Sequence, residues 1–382
     1  MKFSNFKHLL EIYMFLLIII NAHVSCFFQI SLFNKLNSEY KEKNLIISPL
    51  SIFQAISLVT NGANGETQKE LLELLDNKEM EEINLINKKI LDILENDSSL
   101  EIANAIMSRL APLNGFTKIA RDNYDSEILP LKNVNQVNKW CEKKTHGKIN
   151  KIIEKLDPSI YMIILNAVYF KGEWLYKFEK GVTSKQIFYN MNKEQKNIDM
   201  MHIIEHFNYF EDSNLQSVEL RFNKGSISAI VILPKEKLNI NEFIEILDKD
   251  NEYFYSIVNN MEYNRVDLKL PKFEFNYSKN LKELLKKIGV ILPFKSEADF
   301  SKIRTQNDIC ISEIIHKTYL KVNEQGTEAA AVSAIIMDEA AASFDEKIYY
   351  MNVNRPFLFI LKSNKFPKNY DIVFISKIEE IN

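Results

Sequence analysis

The stretch Glu324-Gln325-Gly326-Thr327-Glu328-Ala329-Ala330-Ala331-Val332-Ser333-Ala334-Ile335-Ile336 restricts the fold of this chain more than any other segment. An alternating apolar run, Ile309 to Val322, precedes it and reads as a strand. Small, mostly uncharged residues follow, with no turn signal before Asp338. Taken alone, they fit an alanine-rich helix, because Ala has the best helix propensity. The flanks favour a second reading. Beyond the stretch, Asn354-Arg355-Pro356-Phe357-Leu358-Phe359-Ile360 is another strand-like run reached through a proline. Small side chains around Gly326 suit a backbone that is extended and exposed in one state. In another state nothing bulky keeps it from slipping between existing strands, and strand addition is a known route for a sheet to capture an extended segment.

Size and composition are compatible with a fold that can accept a strand. The chain has 382 residues, 46% hydrophobic and 26% charged, enough for a large core. Gly and Pro number only 9 each, so long flexible linkers are not expected. A net charge of -3 gives no single-signed field for nucleic acid or an anionic membrane. Lys2, Lys7, the apolar run Ile12 to Ile20 and the small residues before Cys26 read as a signal peptide over residues 1–26. That run falls short of the roughly 20 residues a membrane span needs. A secreted, extracellular protein is therefore expected, with Asn96 and Asn276 as candidate N-glycosylation acceptors. Removal of Cys26 leaves Cys141 and Cys310, expected to be free and packed.

No repeat or linker divides residues 27–382, so one domain is expected. Helical spacing runs from Phe28 to Leu36, Leu50 to Val59 (Ser48 as cap, Pro49 in the first turn), Glu66 to Leu75, Glu81 to Leu94, Asn133 to Glu154 and Leu281 to Ile288 before Gly289. Strand-like runs include Met162 to Phe170 and Ser226 to Leu233. Helices first and strands later indicate an α+β fold with sizeable sheets.

Several ordered motifs carry a resemblance to a known family. They are Asn44 to Ile52 with Ser48-Pro49-Leu50-Ser51, then Gly62-Ala63 with Gly65-Glu66-Thr67, and Leu165-Asn166-Ala167-Val168-Tyr169-Phe170-Lys171-Gly172-Glu173-Trp174. Leu270-Pro271-Lys272-Phe273, Ala298-Asp299-Phe300-Ser301 and His316 to Ala331 follow. In this order they resemble the serpins. The departures are Ser376 for a usual glycine, Leu220-Arg221-Phe222 for a usual Leu-Pro-Tyr, and Met351 for a common Phe; all lie outside the stretch around Gly326.

The resemblance implies a serpin fold with three β-sheets, eight to nine helices and an exposed reactive-centre loop at about 325–350. It implies a suicide inhibitor whose loop is cut, trapping the protease as an acyl-enzyme before the loop inserts into the central sheet. Glu324, Gly326, Thr327, Ala329, Ala330 and Ala331 would form the hinge. Thr327 would enter first, and Gln325 and Glu328 would face solvent by strand alternation. Trp174, Lys272 and Glu324 would form the breach where insertion begins, and Ser48, Ser51, Asn166 and His316 the shutter behind the sheet. Counting from Glu324 by the family's spacing puts the reactive bond at Ala340-Ala341, with Met337, Asp338 and Glu339 as alternatives. Ala340 implies an elastase-like serine protease, Met337 a chymotrypsin-like one, and Asp338 or Glu339 an acid-specific or cysteine protease. No Lys or Arg occurs from Gln325 through Glu346, which argues against trypsin-like targets.

The expected partner is thus a target protease engaging a monomer, without a cofactor. Acidic residues among Lys78, Lys88 and Lys89 argue against a strong heparin site around Glu79 to Glu95. Two other readings stand beside this one. The first is a non-inhibitory serpin serving as carrier, storage protein or chaperone. The second is an enzyme built on the Ser48, Ser51 and His316 constellation, but no Gly-x-Ser-x-Gly elbow or phosphate-binding glycine loop supports it. His202 and His206 would suit a metal if helical, but no third ligand pattern accompanies them.

Overall fold

The structure is a computed structural model that describes residues 27–40, 43–95, 99–224, 226–327 and 346–381. Among these residues there are nine α-helices: α1 Phe27–Tyr40, α2 Pro49–Gly62, α3 Gly65–Leu74, α4 Met80–Leu94, α5 Asn114–Tyr124, α6 Val134–Lys144, α7 Ile240–Lys249, α8 Asn251–Asn259 and α9 Lys282–Lys287. The strands are β1 Asn44–Ile47, β2 Leu100–Ser108, β3 Glu127–Pro130, β4 Met162–Phe170, β5 Gly172–Glu173, β6 Ser184–Tyr189, β7 Gln195–Glu211 and β8 Leu215–Arg221. They continue with β9 Ile227–Pro234, β10 Glu262–Pro271, β11 Phe273–Asn280, β12 Glu313–Val322, β13 Gly326–Thr327, β14 Ile348–Asn352, β15 Phe357–Ser363 and β16 Ile372–Ile378.

Three sheets result. A nine-stranded sheet runs β1-β16-β15-β9-β8-β7-β10-β14, with β6 also on β7. A five-stranded sheet runs β11-β12-β4-β2-β3, and β13 pairs with β5 in a two-stranded ribbon. The two large sheets pack through aromatic rings, with Phe273 of β11 in contact with Phe357 and Phe359 of β15 at 5.9 and 5.4 Å between centroids.

In the five-stranded sheet β4 and β12 lie side by side and parallel, in register from Glu313 opposite Ile163 to Tyr319 opposite Tyr169. Antiparallel partners flank them, β2 beside β4 and β11 beside β12. Every residue of β4 is buried, which explains its unbroken apolar sequence: both faces are covered. On one side lies α2, itself buried along its whole length and started by Pro49 and by the Ser48 hydroxyl, which accepts the Ser51 N–H. On the other side α6 packs Val137, Trp140 and Cys141 in one cluster with Ile163, Leu165 and Ala167 of β4 and Ile315 and Tyr319 of β12.

The expected helix from Asn133 to Glu154 stops early, with α6 ending at Lys144. His146 and Gly147 take positive φ of 50° and 78°, and the chain leaves the helical path there. The linker still buries Ile149 and Ile152, so an apolar spacing that reads as helix is satisfied by a folded-back segment. Asn138 holds the return by accepting the Ile152 and Ile153 N–H groups at 2.8 and 3.0 Å. Elsewhere the expected helices and strands are present. Gly289 ends the last helical segment at φ 103°.

Candidate functional site

The seam between β4 and β12 organises the site. Asn166 and His316 are direct partners across it. His316 Nδ1 meets Asn166 Oδ1, and His316 Nε2 accepts the Ser48 N–H at 3.1 Å. These contacts place the ring proton on Nδ1. The Asn166 amide then donates to the Ser51 carbonyl at 3.1 Å, to the Ser51 hydroxyl and to Asn104 Oδ1 at 2.6 Å. The four expected shutter residues thus come together, and Asn104 of β2 is a member that the sequence did not single out. His316 is fully buried, and burial pushes its pKa down to about 3. A neutral imidazole of this kind, already bonded through both nitrogens, behaves as a structural tie.

Beyond the Tyr169–Tyr319 pair the two strands separate, and the chain after β12 occupies the gap. Asn323 and Gly326 form an isolated bridge, reversing the chain into β13. Gly326 then pairs with Glu173 and Thr327 with Gly172, antiparallel. The Thr327 hydroxyl accepts the Gly172 N–H at 2.9 Å, and Thr327 is completely buried. Two of the expected hinge residues, Gly326 and Thr327, are thus already paired with β5 at the top of the seam. Gly326 is obligatory here. Its φ is 137°, and an added Cβ would lie 2.0 Å from the Gly172 carbonyl oxygen.

Burial of Gln325 corrects the expectation that it faces solvent: it is 9% exposed, and its backbone carbonyl accepts the Trp174 N–H at 3.0 Å. Strand alternation fails at this position because Gln325 sits in the reversing turn, not in a strand. Glu328, Ala329, Ala330, Ala331, Met337, Asp338, Glu339, Ala340 and Ala341 lie outside the described residues, as do Asn96 and residues 1–26.

The three expected breach residues surround this turn. Trp174 is buried and stacked on Phe222 at 4.5 Å, and its indole N–H donates to the Asn323 carbonyl at 2.9 Å. The Glu324 carboxylate accepts from Lys272 at 3.1 Å and from the Thr183 hydroxyl at 2.9 Å. Burial raises the Glu324 carboxyl, but hydrogen bonds from its own backbone, Lys272 and Thr183 outweigh this and hold it below the ordinary carboxylate range. The role of Thr183 as a third partner emerges only from the packing. A further latch was missed. The Lys317 ammonium, on β12 beneath the α6 linker, donates to the Lys151 carbonyl, and burial lowers its pKa.

At the far end of the 328–345 segment, Glu346 meets His206 Nε2 at 2.7 Å and Arg265 at 3.9 Å. His202 and His206 stand on β7, and His202 engages Asp267 at 2.9 Å. Each imidazole therefore faces a carboxylate. Asn276 is exposed on β11, and Cys141 and Cys310 are both unpaired.

With this geometry in place, comparison with known proteins decides the family. A family profile described as Serpin (serine protease inhibitor) matches residues 23–380. The chain is a serpin. It is 30% identical over 358 residues to intracellular coagulation inhibitor 2 of Tachypleus tridentatus, covering 89% of this chain and 86% of that protein. It is also 30% identical over 361 residues to the leukocyte elastase inhibitor of Xenopus laevis, covering 88% and 94%. Among solved structures, the thermophilic serpin tengpin in its native state superposes with a TM-score of 0.84 at 30% identity, covering 94% of each chain.

The relatives also correct the expectation of secretion. They include an inhibitor named as intracellular, so the serpin resemblance carries no extracellular localisation. The family match also begins at residue 23, inside the segment expected to be removed.

Two predictions follow from the seam and the turn. Unfolded His316 titrates near its ordinary ~6.5 while the folded side chain stays neutral to about 3, so only the unfolded state takes up this proton in between. Stability is therefore retained above pH 6.5 and lost as pH falls, by about 2 kcal/mol at pH 5 from this group. His316→Gln can keep both hydrogen bonds and should lack that component in urea unfolding at pH 7.5 and 5; an unchanged pH dependence contradicts the assignment. Gly326→Ala should unseat Thr327 and cost about 1–3 kcal/mol. Hydrogen exchange reads this as faster exchange of the Gly172 amide, whereas wild-type protection would show that the seating does not depend on glycine.

Proposed function

We propose that this serpin inhibits a protease by covalent trapping, with the segment after Thr327 acting as bait and then as a new strand between β4 and β12. The observation that carries the proposal is the seated hinge. Gly326 and Thr327 already run antiparallel to the chain following β4, at the point where the β4–β12 ladder ends. Ala329, Ala330 and Ala331 come next in sequence and offer no bulk to a strand continuing down the seam. Such a strand would be antiparallel to both neighbours. It would replace one parallel pairing by two antiparallel ones, which are slightly more stable per residue. About a dozen new ladder hydrogen bonds at ~0.5–1.5 kcal/mol net would drive insertion.

The proposed bond is Ala340-Ala341, cleaved by a serine protease with a small apolar pocket. The alanines around it and the similarity to a leukocyte elastase inhibitor support this choice. The absence of Lys and Arg from Gln325 through Glu346 argues against a trypsin-like target.

Incubation with elastase, chymotrypsin, trypsin and a cathepsin, followed by denaturing electrophoresis and mass spectrometry, tests the reading. A denaturant-resistant complex with elastase, together with a released peptide beginning at Ala341, is expected. Cleavage by every protease without any complex would favour a non-inhibitory carrier, storage or chaperone role.

A further inference from the structure

A cavity of about 310 Å³ lies between α1, α3 and the turn after α9, remote from the seam. Its size reaches the lower end of small-molecule sites. One wall is a stripe of α1: Phe28, Ser31, Leu32 and Lys35 recur at helical spacing. Leu74 and Val290 add apolar surface opposite. Glu70 fixes the turn after α9, its carboxylate accepting the Ile291 and Leu292 N–H groups at 2.7 Å each, and is thereby committed to structure. Two other carboxylates line the same space, Glu73 on α3 and Asp76 just beyond it. Neither makes a hydrogen bond or ion pair among the described residues.

Acidic residues alone do not make a site, but Ser31 adds an independent sign. It lines the cavity at 2% exposure, and its hydroxyl has no hydrogen-bond partner among the described residues. A helix serine normally bonds back to its own backbone or meets water, so a buried hydroxyl left open is one that an occupant can satisfy. Lys35 closes the stripe at the cavity wall and has an interaction of its own.

We propose that this cavity binds a small organic cation, an amine with an apolar body. The body would lie on Phe28, Leu32, Leu74 and Val290. The ammonium would meet Asp76 and Glu73 and donate to the Ser31 hydroxyl. Binding to the folded chain alone would raise its thermal stability by linkage.

Burial is consistent with this use. It pushes the Asp76 carboxyl up to about 6, with the Lys78 charge pulling the other way. The groups around Asp76 are Lys35 on α1, Glu73 on α3, Lys78 paired with Glu82 at the start of α4, and Tyr370 ahead of β16. Asp76 is thus anionic above pH 6, and amine affinity falls as pH drops through that value.

The test uses the full chain with phenethylamine and 3-phenylpropionate, which share a body and differ in charge, followed by calorimetry and thermal shift. At pH 7.5 the amine is expected to bind with Kd ~0.1–1 mM, as suits a ligand of this size. The carboxylate should bind at least tenfold more weakly. Asp76→Asn should weaken amine binding about tenfold or more and abolish its pH step. Asparagine tolerates the positive φ of 64° at this position, so the variant should fold. Glu73→Gln, at an exposed position, should weaken binding by a smaller factor. Equal binding of amine and carboxylate, amine binding that survives both substitutions, or no binding at 5 mM would each overturn the proposal.

Discussion

The hydrogen bond between His316 and Asn166 crosses the one seam on which the behaviour of this fold depends. β4 and β12 are parallel neighbours held from behind by that bond, by Ser48 on His316 and by Ser51 and Asn104 on Asn166. Parallel pairing is the weaker ladder, and here it is bracketed by antiparallel ones. A sheet built this way has a defined place to part. If the strands part, the buried polar cluster would make the parting specific, because each member would have to exchange a partner first. The neutral, inaccessible imidazole that suits this task is poorly placed for catalysis, which separates the tie from the hydrolase triad that the residue types alone suggest.

The top of the seam is prepared as well as weak. Trp174 and Glu324 fix the turn after β12 from two sides, and Gly326 lets the backbone approach Gly172 closely. Thr327 is thereby set in the position from which a strand can propagate. The opposite face is closed by α6 and its linker, with Lys317 bonded to the Lys151 carbonyl above the seam. Insertion of a strand would have to displace that cover, so the linker and the shutter oppose opening from the two faces of one sheet. The cavity beside α1 is separate from this machinery, and an occupant there would act on the stability of the fold as a whole.

Much of the architecture was legible in the sequence because local signals agreed with tertiary demands. α2 begins where Ser48 and Pro49 say it should, and β4 reads as a continuous apolar run because both its faces are covered. That Ser48, Ser51, Asn166 and His316 come together, and Trp174, Lys272 and Glu324 likewise, was legible through ordered motifs, which no local rule could have assembled: Ser48 and His316 are 268 positions apart. What failed, failed at chain reversals. Ile149 and Ile152 extend the apolar spacing of α6, but left-handed residues at His146 and Gly147 turn the chain back. Gln325 lies in the turn between β12 and β13, where alternation carries no information. Asn104, Thr183 and Lys317 bond to partners remote in sequence, so their own neighbourhoods did not show those contacts.

The central claim is that the seam between β4 and β12 accepts a third strand and that the native state is metastable with respect to that outcome. The direct measurement is the thermal unfolding transition before and after a single cut within residues 328–345, made by a protease that is then removed. About a dozen added ladder bonds, near 10 kcal/mol in all, predict a rise of roughly 13 °C in a chain of this size, with slowed exchange of the β4 and β12 amides. A cut chain that melts at the native temperature, with unchanged exchange along the seam, would contradict the account.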